Sequence, residues 1–383
     1  MLLSGGVRYG ERSMGALRWL PSLVLLLPWL LGPIAPSNDA RIRDLAGPAG
    51  FRLLDWEMAH VGERAGRLWA GLVGSDDATA ADTDALGTYF RAGPRRADLR
   101  PQAEAALERL VASAYRAGGL TRSEPFFGLD RLFPPVLVAL TPPPNVLVIA
   151  PRTALRVVGS SVLQAMDVPA QERLEASADS TDVSSLVAPI GGLATYPSMV
   201  LEDSAPEQVL AAVAHEWLHQ YLVFYPLGQA YWNSQETREI NETTAELVGV
   251  EVGGQLAATL GLTSPGAGTP PPVPTQPAFD FRVFMRETRA QTETLLGDGQ
   301  VAAAEDYMRA RRDELRQHGY QIRKLNQAYF ALYGSYGDGY AASPSNPIPG
   351  LLRTLRARSA TLAEFIFQVR EITTVAELTQ AAS

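Results

Sequence analysis

The chain contains no cysteine. That absence removes disulfides, thiol chemistry and every zinc site built on cysteine. Histidine is nearly as scarce: four in 383 residues, His60, His215, His219 and His318. Positive charge is in the minority. The net charge of −8 argues against nucleic acid as the main partner, because phosphate backbones select basic surfaces. There is no glycine loop of the nucleotide-binding kind and no internal repeat. The leucine-rich run at residues 19–34 is broken by Pro21, Pro28 and Pro33 and, at about 16 residues, falls short of a membrane span. What remains is a globular composition, 46% hydrophobic and 19% charged, long enough for two or three domains around a substantial core.

Half of the histidines fall in one stretch. Residues 211–222 read AAVAHEWLHQYL, and His215-Glu216-Trp217-Leu218-His219 is an H-E-x-x-H pattern. On a helix, positions four apart lie one turn apart on the same face, so both imidazoles can reach one metal ion. The intervening Glu216 can then stand beside a metal-activated water, which is the mechanical content of the zinc-peptidase signature. Ser204 as N-cap, Pro206 in the first turn and Glu207 closing an S-x-x-E box predict the start of this helix. Pro226-Leu227-Gly228 predicts its stop. Residues 208–224 carry almost no charge besides Glu216, and Val213 and Trp217 lie opposite the histidines. A helix apolar all round is a buried one, and its polar groups must find partners.

Residues 233–254, NSQETREINETTAELVGVEVGG, read as a second helix opened by Asn233 and Glu236. Glu239, Glu242 and Glu246 share one face of it. A solvated acidic stripe is the plain explanation. Beside an H-E-x-x-H, a site of two histidines and one glutamate is the sharper one.

Together, H-E-x-x-H and Asn241-Glu242-Thr243-Thr244-Ala245-Glu246 resemble the paired motifs of gluzincin metallopeptidases, the broad class of thermolysin-like enzymes, over residues 206–255. The resemblance implies Zn²⁺ held by His215, His219 and Glu242, Glu216 as general base, and Glu246 orienting His215 by its far nitrogen. The gap from His219 to Glu242 is longer than in thermolysin-like enzymes. Glu239 fits the shorter gap, so it stays a rival third ligand. Gluzincins also use a downstream His or Tyr to stabilise the oxyanion. His318, Tyr329, Tyr333 and Tyr336 are the candidates, with core aromatics as the alternative role for each.

The remaining segments frame this centre. Residues 1–40, with Arg8, Arg12 and Arg18 ahead of the leucine-rich run, read as a signal peptide or an N-terminal membrane anchor. Residues 41–135 read as a helical region, with His60 as a structural histidine. Residues 136–140 and 146–150 read as strands joined by a turn, and 155–158 and 186–190 as further strands. Pro197 makes residues 193–201 an edge strand, where an extended peptide could lie. Residues 263–279 form a proline-rich linker, and 280–383 a helical C-terminal domain.

The expected fold is therefore α+β: a zincin-like core at residues 136–262, a small mixed sheet plus active-site helices, with helical N- and C-terminal additions. The expected function is zinc-dependent hydrolysis of peptide bonds in a peptide or protein substrate by an exported protein, secreted or membrane-anchored. The alternative is an envelope protein that binds zinc without peptidase activity, as another metallohydrolase or an inactive binding module.

Overall fold

The computed structural model describes residues 40–383 apart from 61, 63–65, 68–76, 93–96, 121, 124–129, 143, 263–278, 336–338 and 344. The expected signal peptide or anchor, nearly all of the proline-rich linker, and Tyr336 thus lie outside the described residues.

Helices α1 (Ala40–Ala46), α2 (Leu53–Ala59), α3 (Ala80–Arg91) and α4 (Arg100–Ala117) come first. Strands β1 (Arg122–Ser123) and β2 (Asp130–Arg131) form a small antiparallel ladder. Next are β3 (Val138–Leu140), β4 (Asn145–Pro151), β5 (Gly159–Leu163), helix α5 (Val168–Asp179), β6 (Val183–Pro189), β7 (Gly192–Leu193) and β8 (Ser198–Val200). The two motifs lie on α6 (Pro206–Leu222) and α8 (Gln235–Leu260), joined through α7 (Pro226–Gln229). Helices α9 (Phe281–Gly297), α10 (Val301–Gln317), α11 (Gln327–Tyr333), α12 (Ile348–Arg358), α13 (Leu362–Val369) and α14 (Val375–Ala382) complete a mixed α+β architecture.

The strands sort into separate sheets by what covers them. Residues 136–140 and 146–150 do not form the expected joined pair. Strand β3 runs parallel to β8, and β8 antiparallel to β7. Strand β4 is the centre of a different sheet, antiparallel to β5 and β6. Alternation explains the division. Val146, Val148 and Ala150 of β4 enter one core with β6 and helices α9–α11, while Leu147 and Ile149 enter another with Ile42 and Ala46 of α1. Both faces of β4 are buried, so its sequence is an unbroken apolar run. Val138, Leu140 and Val200 instead join a helical core built from α3, α4, α6, α8 and α12–α14. The edge assignment is also corrected. Pro197 immediately precedes β8, where its missing N–H costs no ladder bond, and β8 is the central strand. Within this run the edge strand is β7, and β3 forms the opposite edge of the sheet.

Packing rather than capping positions α6. Trp217 is fully buried on the side away from the histidines, its Nε1 donating to the Pro134 carbonyl at 2.8 Å and its ring 4.2 Å from that of Tyr115. Burying an indole stabilises by about 4–6 kcal/mol, against about 1 kcal/mol for a cap. The cap accordingly differs from expectation: Ala205 holds the N-cap position and Gln208 accepts its N–H at 3.3 Å. On α8 the cap is Ser234, which accepts from the Thr237 N–H at 3.0 Å, and Glu236 instead accepts the Val375 N–H.

One device holds the outer side of β3. Glu108 accepts the Val138 N–H at 2.9 Å and Glu104 the Leu140 N–H at 2.8 Å. Four residues of helix rise about 6 Å and two residues of strand about 6.6 Å, so glutamates four apart match N–H groups two apart. Burial pushes the Glu108 carboxyl from 4.5 up to about 7, with Arg67 only partly opposing it. The folded chain thus holds a proton there that the unfolded chain has released. This contribution to stability is complete below about pH 4.5 and is lost as pH rises through about 7. Glu108→Gln is neutral throughout. Its urea midpoint should fall less between pH 5 and pH 8, roughly the span of that titration, than the wild-type midpoint does. Equal slopes would contradict this.

Candidate metal centre

Helices α6 and α8 meet backbone to backbone. A Cβ added at Gly253 would lie 2.5 Å from the Ala211 nitrogen, and one at Gly249 would lie 2.8 Å from the Ala211 oxygen and 3.1 Å from the His215 Cβ. Only glycine allows this approach. Gly249 and Gly253 continue the helix stripe of Glu242 and Glu246, so the same contact that joins the helices carries His215 and His219 to the carboxylates.

His215, His219 and Glu242 converge as a group that could hold a metal ion. His215 Nε2 and His219 Nε2 are 3.0 Å apart, and each is 3.6 Å from Glu242 Oε2. A tetrahedral ion with bonds of 2.0–2.1 Å separates its donors by about 3.3–3.4 Å. The three observed spacings straddle that value, and the donor set of two imidazoles and one carboxylate suits a borderline-soft divalent ion. The donors fit.

Each donor is held from behind. His219 Nδ1 lies 2.8 Å from Asn241 Oδ1, and Asn241 Nδ2 donates to the Leu227 carbonyl at 3.3 Å. An amide oxygen accepts only, so Nδ1 carries the hydrogen and Nε2 keeps its lone pair for the centre. His215 Nδ1 faces Glu246 Oε2 at 3.6 Å, where the resemblance places the orienting acid. Tyr231 donates its hydroxyl to Glu242 Oε1 at 2.5 Å, which leaves Oε2 facing the histidines.

The field at this point favours a cation. Burial disfavours charge on His215, but Glu242, Glu246 and Glu216 outweigh it and raise the imidazole to about 10. Burial likewise opposes charge on Glu242, yet the two imidazoles hold its carboxyl well below the usual range. Glu246 is lowered chiefly by its contact with His215. Glu216 goes the other way: burial raises it, with the imidazoles only partly opposing. The residue is largely buried, and its carboxylate opens on the cleft beside the histidines and accepts no hydrogen bond from a described residue. It presses against Gly192, where an added Cβ would lie 2.3 Å from Glu216 Oε1.

The rival third ligand points elsewhere. Glu239 accepts from Gln235 Nε2 at 2.8 Å and Asn346 Nδ2 at 3.2 Å. His318 stacks on Phe279 with ring centroids 3.9 Å apart, and Tyr329 and Tyr333 pack in the α9–α11 core, with Tyr329 bonded to Tyr340. None of the three lines the cleft. Among the described residues, the tyrosine that does is Tyr231. Sequence reasoning passed over it because the turn after α7 has no periodicity, and it quoted Asn241 only as part of a motif, without a role.

The cleft has a cavity of about 110 Å³. One wall is polar: His215, Glu216, His219, Tyr231, Arg238 and Glu242. The facing wall carries Val146, Val148, Val157, Ile190 and Leu332, which belong to the second core. The edge strand β7 lies between them. Leu201 donates to the Gly191 carbonyl at 3.0 Å, so Gly191 bonds inward and the pleat turns the Gly192 N–H and C=O away from β8. No family model, curated protein or solved structure matches the chain.

Proposed function

We propose that this chain is a zinc-dependent metallopeptidase of the gluzincin type, with a zincin-like pairing of sheet edge and active-site helices. The observation that carries this reading is Glu216: a largely buried residue whose carboxylate opens on the cleft, bonded to no described residue and standing beside a His/His/Glu donor set at the mouth of an open strand edge. A structural metal site needs no such group and closes its fourth position.

His215, His219 and Glu242 would hold the ion. When bound, zinc supplies Lewis acidity, polarising the scissile carbonyl and acidifying water. Everything else falls to the chain. Glu216 takes the proton of the attacking water on its carboxylate and passes it to the leaving amine nitrogen, so one water is added across the C–N bond. Its raised proton affinity suits that exchange, since a base that must return the proton works best near neutrality. Gly192 presents backbone donor and acceptor to an extended peptide, and Val146, Val148 and Leu332 receive an apolar side chain while excluding water. The reading includes export, so the substrate is an extracytoplasmic peptide or protein.

The test is direct. Purified full-length protein, incubated with a defined peptide mixture and followed by mass spectrometry, should release new termini. A chelator should stop the cleavage, and about one equivalent of zinc should restore it. A protein that binds zinc but leaves every peptide intact would overturn the reading.

A further inference from the structure

Among the described residues lining the cleft, Arg238 is the one charged side chain that neither the donor set nor the proton transfer uses. It lies on α8 one turn before Glu242 and lines the same cavity. Its guanidinium is held over two aromatic rings, with Cζ 5.7 Å from the Tyr231 centroid and 5.1 Å from the Trp232 centroid. Tyr231 is also the hydroxyl that fixes Glu242, so one ring ties the arginine to the donor set. The hydrogen-bonding side of the guanidinium is left over. Its Nε is buried without a partner, and among the described residues the side chain makes no hydrogen bond and no ion pair. The adjacent acid, Glu239, is turned toward Gln235 and Asn346. Other arginines of this acidic chain are matched: Arg323 with Glu175, Arg356 with Glu251, Arg289 with Glu293.

A guanidinium stacked on aromatic rings is pre-organised, and its planar fork matches a carboxylate with two parallel N–H donors. Residues four apart on a helix have Cβ atoms about 5–6 Å apart, and an extended peptide advances about 3.3 Å per residue. A carboxylate on Arg238 therefore belongs to a residue next to, or one beyond, the bond held at the donor set.

We propose that Arg238 is the specificity-determining residue of a carboxylate-binding subsite, and that the preferred substrates carry a carboxylate within one or two residues of the cleaved bond. This rests on the peptidase reading of the cleft. The carboxylate has two sources, a free peptide C-terminus or an acidic side chain, and they imply C-terminal trimming or internal cleavage at acidic sequences.

Three versions of one cleaved peptide separate the possibilities: with a free C-terminus, with an amidated one, and with Glu exchanged for Gln beside the cleaved bond. The wild type should favour one carboxylate form by about tenfold to a hundredfold in kcat/KM, the range of a charge-assisted pair, with the difference mainly in KM. Arg238→Leu should erase the preference. Arg238→Lys should keep part of it, since the charge stays and the fork is lost. Equal rates for carboxylate and neutral forms in the wild type, or a preference that survives Arg238→Leu, would overturn the proposal. If no peptide is turned over, the peptidase reading fails by itself, and calorimetric binding of the same peptides to Glu216→Gln protein decides the subsite. Tighter binding of a carboxylate form, lost with Arg238→Leu, upholds it, and identical binding overturns it.

Discussion

Glu216→Gln is expected to retain the metal and lose turnover. The substitution is nearly isosteric, and Glu216 accepts no hydrogen bond from a described residue that the amide could disturb. It is not one of the three converging donors. Burial already disfavours its charge, so a neutral amide costs the fold little. What disappears is the capacity to accept and return a proton. General acid–base catalysis is worth about 10²–10⁴-fold, and a loss in kcat of that size, with KM and metal content close to wild type, is the expected result. Metal analysis beside peptide cleavage measures both at once. A variant that cleaves peptides at the wild-type rate would remove Glu216 from the mechanism.

Glu242→Ala should abolish metal binding, whereas Glu239→Ala should leave about one metal per chain. The two glutamates share a helix face and differ in what surrounds them. Removing Glu242 deletes a donor and strips the Tyr231 hydroxyl of its acceptor, leaving two imidazoles 3.0 Å apart. The loss in affinity should exceed the roughly 10–100-fold that follows removal of a supporting partner behind a ligand. Removing Glu239 breaks bonds to Gln235 and Asn346 on a half-buried surface, a matter of stability and not of the ion. Elemental analysis of the two variants beside wild type decides. Metal lost with Glu239→Ala and kept with Glu242→Ala would reverse the assignment.

The contrast between these two residues shows what could be read from the sequence. The spacing of His215 and His219 needs only helix geometry, and the structure places both side chains as that geometry requires. The choice between Glu239 and Glu242 turns on a partner more than a hundred residues away: Asn346 claims Glu239, and no local pattern announces it. Tyr231 and Arg238 escaped for a different reason: their partners are near in sequence, but the turn after α7 that brings the Tyr231 and Trp232 rings onto α8 has no periodicity to read. In the tyrosine-rich segment the sequence left a catalytic and a core role open, and the core role is the one observed for Tyr329 and Tyr333. The rings of this segment recur densely because they fill the α9–α11 core, where Tyr329 and Tyr333 have no access to the cleft. The apolar runs at 136–140 and 146–150 were legible as strands, but strand pairing is settled by which core each face meets. Pro197 was legible as a residue that avoids ladder bonds, though it stands beside the central strand and not in an edge.

The backbone contact at Gly249 and Gly253 has a mechanical consequence. Among the described residues, the three side chains that could hold a metal project from α6 or α8, and these two helices cannot slide past each other without forcing backbone into backbone. The facing wall of Val146, Val148 and Leu332 belongs to a different core. The seam between the cores is therefore where the molecule can yield. A shift at that seam would change the width of the cleft while the donor triangle keeps its dimensions. On the peptidase reading, substrate exchange and ion retention would thereby be uncoupled: yielding at the seam would let a product leave without loosening the hold of α6 and α8 on an ion.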